Sequence, residues 1–476
     1  MIYRYANSFR LAALVCLAGL ASSLTGQARA AEDDAVDMIV ELISGSDNDM
    51  RALALQQIRE ELPGEDATRR FVELLPDLAP DVQIKLIDAL GERGDAAARP
   101  AILEMLNSEA EAIRAMAARA ISGLASSADI PLLAKMAATG LDLEKEAARY
   151  SLRHLRGDEM NVAMTEALRN ADTKPRIELI AAIVDRNVKE SLPVILENAD
   201  DSDLAVRLAV LSALRVMGDE KHAEMLVERL KSAEDASERR HTAMALLAIC
   251  GRERIKCEHA VIAGFDGADT ATRILMMRVL PLTGGPKSLN QIVARLKDDD
   301  QGVRAEAVRV LADWRDPNAI PHLKTLAQDT ENLRNHVLAL RGIVRLASPG
   351  KNRPANLADL REAMKLATRK EEKVLVLGVL GTIPTLESLT LVASGLDQTE
   401  IAEDAGLAAV LIAENISEGS QSQVRAVTQK VLQTVRNKVT QDRAKKLLDV
   451  PLPSQNTNNH LESTKTSILQ SEQHVH

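Results

Sequence analysis

A basic side chain returns along this chain at a near-constant interval. The series runs Arg51, Gln83 (its one non-basic member), Arg114, Lys145, Arg176, Arg207, Arg240, Arg273, Arg304, Arg334 and Lys373, in steps of 32, 31, 31, 31, 31, 33, 33, 31, 30 and 39 residues. Pro100, Pro131, Pro193 and Pro321 keep the same beat, each 17 residues after a member of the series. Two markers in register imply stacked supersecondary units, because a period in this range is the signature of repeat architectures.

The content of one unit sets the type of repeat. After Asp203, the residues Val206, Ala209, Val210, Ala213 and Leu214 fall at i, i+3, i+4, i+7 and i+8, an apolar stripe on one helix face. Gly218 follows as a stop, and Ala223, Leu226, Val227 and Leu230 form a second stripe. Each unit therefore reads as a helical hairpin, two helices of about three turns with short connections. The prolines open the second helix, where a missing N–H costs nothing. One hairpin cannot bury its own stripe, but stacked neighbours share a continuous core, and the abundant alanine lets adjacent helices approach closely. The sequence thus predicts an all-α solenoid of about eleven hairpins with helical caps. Acids two to four residues ahead of the basic series (Asp49, Glu111, Asp142, Asp172, Asp203, Asp269, Asp300, Glu331) are expected to cap helices and to meet the basic residue of an adjacent repeat, making a structural ladder.

The pattern Asp-x-x-Val-Arg-x-x-Ala-x-x-Ala-Leu, with proline opening the next helix, resembles HEAT-like repeats over roughly residues 34–450. The short period, against about 40 residues for the ordinary repeat, is similar to the phycobilisome-lyase type in an exported bacterial member. The resemblance implies the fold and, by analogy alone, a role in binding other proteins. The bilin-attachment chemistry of the lyases is cytoplasmic and conflicts with the N-terminus of this chain. A di-iron centre of the kind some HEAT-like enzymes carry would need His-Glu dipeptides, and the sequence has none.

The N-terminus reads as a secretory signal over residues 1–30. Arg4 and Arg10 precede a short apolar run, Leu11 to Leu20, and Ala28-Arg29-Ala30 offers cleavage after Ala30. The run is short for a membrane span, so no stable span is expected once the signal is removed. The mature chain is expected to be periplasmic or secreted. Losing Arg4, Arg10 and Arg29 but no acid takes the net charge from −10 to −13, a balance that argues against nucleic acid as partner. Beyond the signal the sequence divides into a capping helix (31–45), the solenoid (46–400), a helical cap (401–450) and a polar tail (451–476) expected to be disordered. One longer step, between Arg334 and Lys373, locates an insertion near Ser348–Pro354.

Chemistry is sparse. No phosphate loop, nucleophile motif or cofactor signature is present, so neither catalytic residues nor cofactors are expected. Cys250 and Cys257 flank a short turn and can bridge in an oxidising compartment. With His241 and His259 they could instead form a Cys₂His₂ metal set, though neither half has the usual spacing. Phe71, Tyr150, Phe265 and Trp314 are the only aromatics after the signal, too few and too scattered to line a base- or sugar-stacking groove. The sequence points to a non-catalytic scaffold that binds a protein along the solenoid surface. The alternatives are an accessory subunit of an envelope or secreted enzyme, or a structural envelope component.

Overall fold

The computed structural model describes residues 25–60, 64–416 and 421–449, with side chains from Asp34 onward. The signal core and the polar tail lie outside the described residues. The helix Thr25–Ser44 runs through the proposed cleavage site and includes the expected capping segment, with Val36, Ile39 and Ile43 buried.

The described residues are helical apart from turns and a single isolated bridge, Gly350 to Arg353. Two compact units divide the chain, Met1–Ala268 and Asp269–His476. In the first, hairpins follow one another from Asn48–Glu60 with Glu65–Glu73 to Ala236–Glu253 with Glu258–Ala263. In the second they run from Thr270–Thr283 with Pro286–Arg295 to Lys370–Leu380 with Leu386–Ala393. The regular sequence beat fades after Ile401, yet the architecture continues. Ala402–Asn415 and Gln421–Thr434 make a further hairpin, and Lys438–Asp449 closes the stack. Within each unit the first helix of a repeat packs on the first helix of the next.

The stripes read from sequence are the buried ones. Val206, Val210, Ala213 and Leu214 are at most 1% exposed, as are Ala223, Leu226 and Leu230. Small residues bring the first helices together backbone to backbone. A Cβ on Gly91 would stand 2.7 Å from Ala120, and one on Gly123 would stand 2.1 Å from the carbonyl oxygen of Gly91. Gly342 makes the same approach to Ala312 in the second unit.

Four second helices begin as the prolines imply. A turn of 3₁₀-helix leads into Arg99–Met105, Ile130–Thr139, Leu192–Leu196 and Ile320–Gln328, each with proline in its first turn. The insertion forms a small closed turn. Asn356 N–H donates to Ala347 O at 2.9 Å, returning the chain to the end of the helix Leu333–Ala347.

Candidate functional site

The basic series does more than the sequence suggests, and part of it does less. Its chief acceptors are main-chain carbonyls of the connection between the preceding helix and its own, from the last turn of that helix to the loop beyond it. Arg114 donates to Ser108 O and Glu109 O at 2.7 and 2.8 Å. Arg207 donates to Asp201 O and Ser202 O at 2.8 and 3.2 Å, and Arg304 to Asp298 O and Asp299 O at 2.6 and 2.9 Å. Arg51 reaches Ile43 O and Gly45 O, Gln83 reaches Leu75 O, and Arg176 reaches Ala171 O.

Two positions shift register. Arg240 is exposed, and Arg239 makes the contact in that repeat, to Ala233 O at 2.8 Å. Arg334 is likewise exposed, and His336 occupies the buried place, its Nδ1 2.6 Å from Ala327 O. A helix that begins one or two residues earlier or later moves the inward-facing position by the same amount. Lys145 is half-buried.

The acids also divide. Asp203, Asp269 and Asp300 cap their helices as expected, accepting from Ala205, Thr272 and Val303 N–H. The carboxylates that pair with the series are others, of two kinds. Glutamates at the third helical position of the following repeat form the first kind: Arg114 with Glu144 (2.5 Å), Arg207 with Glu238 (2.9 Å) and His336 with Glu372 (3.2 Å). Acids in the loop before the next repeat form the second: Arg176 with Asp201 (2.7 Å), Arg273 with Asp298 (3.0 Å) and Lys373 with Glu400 (2.6 Å).

Electrostatics favour the charged form of the first kind. Burial opposes ionisation of Glu144, but hydrogen bonds from Leu141 N–H and Arg114 outweigh it and hold the carboxyl below its ordinary range. Glu238 is held low chiefly by Arg207, against burial, with help from Arg229. For Glu372 burial again opposes ionisation. Bonds from the Arg369 side chain and N–H, His336 and Thr368 N–H prevail, and the carboxyl lies at about 2. The two ring nitrogens of His336 lie against Ala327 O and Glu372.

A second row was not read from the sequence. Arg93 donates to Ile58 O and Gly64 O, Arg186 to Arg153 O and Leu155 O, Arg252 to Arg215 O and Gly218 O, and Arg345 to Ala312 O and Trp314 O. Each side chain lies at the end of a first helix and covers the carboxyl end of the first helix before it. The signal existed, since the members are separated by 93, 66 and 93 residues, whole numbers of repeats. Arg345→Ala is expected to destabilise its repeat by about 1–3 kcal/mol, the cost of leaving buried carbonyls unpaired. Trp314, the only tryptophan and 3% exposed, reports this rung directly. Its emission should shift at lower urea in the variant, and an unchanged midpoint would remove the rung from the stability account.

The surface feature suited to a ligand lies apart from these rungs. A groove of about 880 Å³ runs between Ile130–Thr139, Glu159–Asn170 and the start of Thr173–Asp185. It opens where the stacking is irregular, with Thr173–Asp185 packed directly against Ile130–Thr139. Its floor is small and apolar: Pro131, Ala134, Ala163, Ala167 and Leu179. Lys135 and Lys174 stand on its rim, both exposed, and neither head group meets an acid among the described residues. Of the rim acids, Glu166 is held by Arg169 at 2.7 Å, and Asp172 is exposed. Leu132 and Val162, on the two bounding helices, are 39% and 72% exposed.

Other candidate residues take structural places. Cys250 and Cys257 are buried and unbridged. His241 Nδ1 donates to Ser237 O, and His259 is exposed. Among the described residues no group of three or more His, Cys, Asp or Glu could hold a metal ion, and no helix is long and apolar enough to cross a membrane. Trp314, Phe71 and Phe265 are core residues, while Tyr150 stacks on His154 with Arg119 above its ring.

Paired helices stacked in tandem, pinned by inward basic residues, define a helical-repeat protein. Comparison with family models matches HEAT repeats at residues 68–153, 162–247 and 259–341, more than half of the sequence, and the chain belongs to the HEAT-repeat family. No curated protein matches it. Among solved structures it is similar to Kap121p bound to Ste12p, at 12% identity and a TM-score of 0.49, covering 92% of this chain and 56% of that one. It is also similar to the karyopherin Kap121p bound to the extreme C-terminus of the protein phosphatase Cdc14p, at 13% identity and a TM-score of 0.48, covering 87% and 53%. An engineered protein matches at 17% identity and a TM-score of 0.31, covering 87% and 98%. The chain spans about half the length of the karyopherin.

Proposed function

We propose that this protein is an exported, non-catalytic scaffold that binds a protein partner, and that the groove in the third to fifth repeats is its principal contact. The observation that carries the reading is the coincidence of a small-residue apolar floor with two uncommitted lysines on the rim. Many of the arginines in this fold are engaged by carbonyls and carboxylates. Lys135 and Lys174 are free to meet carboxylates on a partner segment whose apolar side chains enter the groove. HEAT-type stacks offer such surfaces without a catalytic constellation, and the signal-like N-terminus supports an encounter in the envelope or outside the cell.

The test is affinity capture from the native envelope fraction with the processed chain and with the double variant Lys135→Glu/Lys174→Glu. The expected result is a bait whose N-terminus is Ala31 and one stoichiometric protein retained by the parent and lost from the variant. Capture unaffected by the substitutions, or self-association into filaments as the only product, would overturn the assignment of the groove.

A further inference from the structure

We propose that Cys250 and Cys257 are a disulfide-forming pair, a two-electron oxidation site contained within one repeat. Both residues are 0% exposed, and each thiol's ionisation is influenced by the other. Cys250 lies in the last turn of Ala236–Glu253, and Cys257 ends the 3₁₀ turn Arg254–Cys257 that leads into Glu258–Ala263. A bridge between them joins the two helices of the hairpin at its closed end.

The connecting turn can absorb the adjustment that bonding requires. Gly251 has nothing within 4 Å of where a Cβ would stand. Arg254 has a positive φ of 52°, a conformation that costs a non-glycine residue. Arg254 and Ile255, at the tip of the turn, are exposed.

The reaction balances against a disulfide oxidant, small or protein-borne. One thiolate attacks it and displaces a thiol, giving a mixed disulfide on this chain. The second cysteine then attacks that bond and releases the other half of the oxidant. Two protons and two electrons leave the cysteines, one Sγ–Sγ bond forms, and the oxidant becomes two thiols. The order of events follows from the surroundings. Burial pushes both thiols up, Cys250 the more strongly; at Cys257 the neighbouring Cys250 lowers it, Glu253 and Glu220 raise it, and Lys256 lowers it least. Cys257 is therefore the attacking thiol and Cys250 the resolving one. The same burial shields the finished bridge from reductants.

The experiment uses the full chain, incubated with oxidised glutathione or with a reductant, then denatured, alkylated and digested with trypsin. Arg252, Arg254 and Lys256 all lie between the cysteines, so cleavage separates them unless they are bridged. The expected product after oxidation is His241–Arg252 linked to Cys257–Arg273, with amide exchange across residues 250–262 slowed about tenfold or more. Cys250→Ala should instead accumulate a glutathione adduct on Cys257, while Cys257→Ala should stay unmodified. Both peptides recovered alkylated and separate after oxidation, or Cys16 found linked to either residue in place of the internal bridge, would overturn the proposal.

Discussion

Replacing Gly123 by alanine is expected to destabilise the first unit by about 2 kcal/mol, and replacing Gly378 by alanine to stabilise the second. In a helix, alanine is favoured over glycine by roughly 0.5–1 kcal/mol. At Gly378 nothing stands within 4 Å of the added Cβ, so that gain is realised. At Gly123 the Cβ would lie 2.1 Å from Gly91 O and 3.2 Å from its carbon. Backbone atoms of a neighbouring helix cannot rotate away, so Pro80–Arg93 and Glu111–Leu124 must separate. Overpacking of this kind costs about 1–3 kcal/mol or more, enough to reverse the propensity gain. Urea unfolding followed by circular dichroism, with hydrogen exchange to localise the change, measures both. Shifts of the same sign in the two variants would show that helix propensity, not close approach, decides.

Glu372→Ala should be still more damaging, at about 3–5 kcal/mol, because it leaves His336 buried opposite an empty site and removes the cap of its own helix. The effect has a pH signature. The carboxyl lies at about 2 in the folded chain against an ordinary 4.5. A depressed value means that the contribution is complete above pH 4.5 and is lost as pH falls toward 2. The shift corresponds to on the order of 3 kcal/mol. Glu372→Gln preserves shape and removes the titration, so its stability should fall less steeply than the parent's across that window. Parallel profiles would assign the acid sensitivity to other carboxylates.

These two sites mark the reach of the sequence. The hairpins were legible because burial imposes a 3.6-residue period on Val206, Val210 and Leu214, and because Pro131 and Pro321 start helices at a fixed phase. That Gly123 meets Gly91 was not, since glycine leaves no periodic trace of the neighbour it admits. The rungs were half legible. A basic beat is visible, but Ser108 O and Ala312 O are main-chain acceptors that any residue supplies, so pairing patterns cannot point to them. His336 escaped because it replaces arginine at a shifted position. The groove arises from the irregular seat of Thr173–Asp185 on Ile130–Thr139, a packing choice that the regular steps around Lys145 and Arg176 conceal.

The two kinds of rung also make the repeats unequal as interchangeable parts. Arg114, Arg207 and His336 reach forward, so each requires a successor bearing glutamate at its third helical position. Arg176, Arg273 and Lys373 find their acids before the next helix begins, in a segment that travels with their own repeat. A cut just ahead of Asp203, Asp300 or Ile401 therefore separates no donor from its carboxylate on this ladder, whereas a cut ahead of Asp142, Ala236 or Lys370 strands one. These three junctions lie 97 and 101 residues apart. Duplication or exchange of chain segments during the history of such a protein is thus least disruptive to the carboxylate pairs where the cut falls at a junction of this kind, and a hairpin excised at one of the others carries an unmet charge with it.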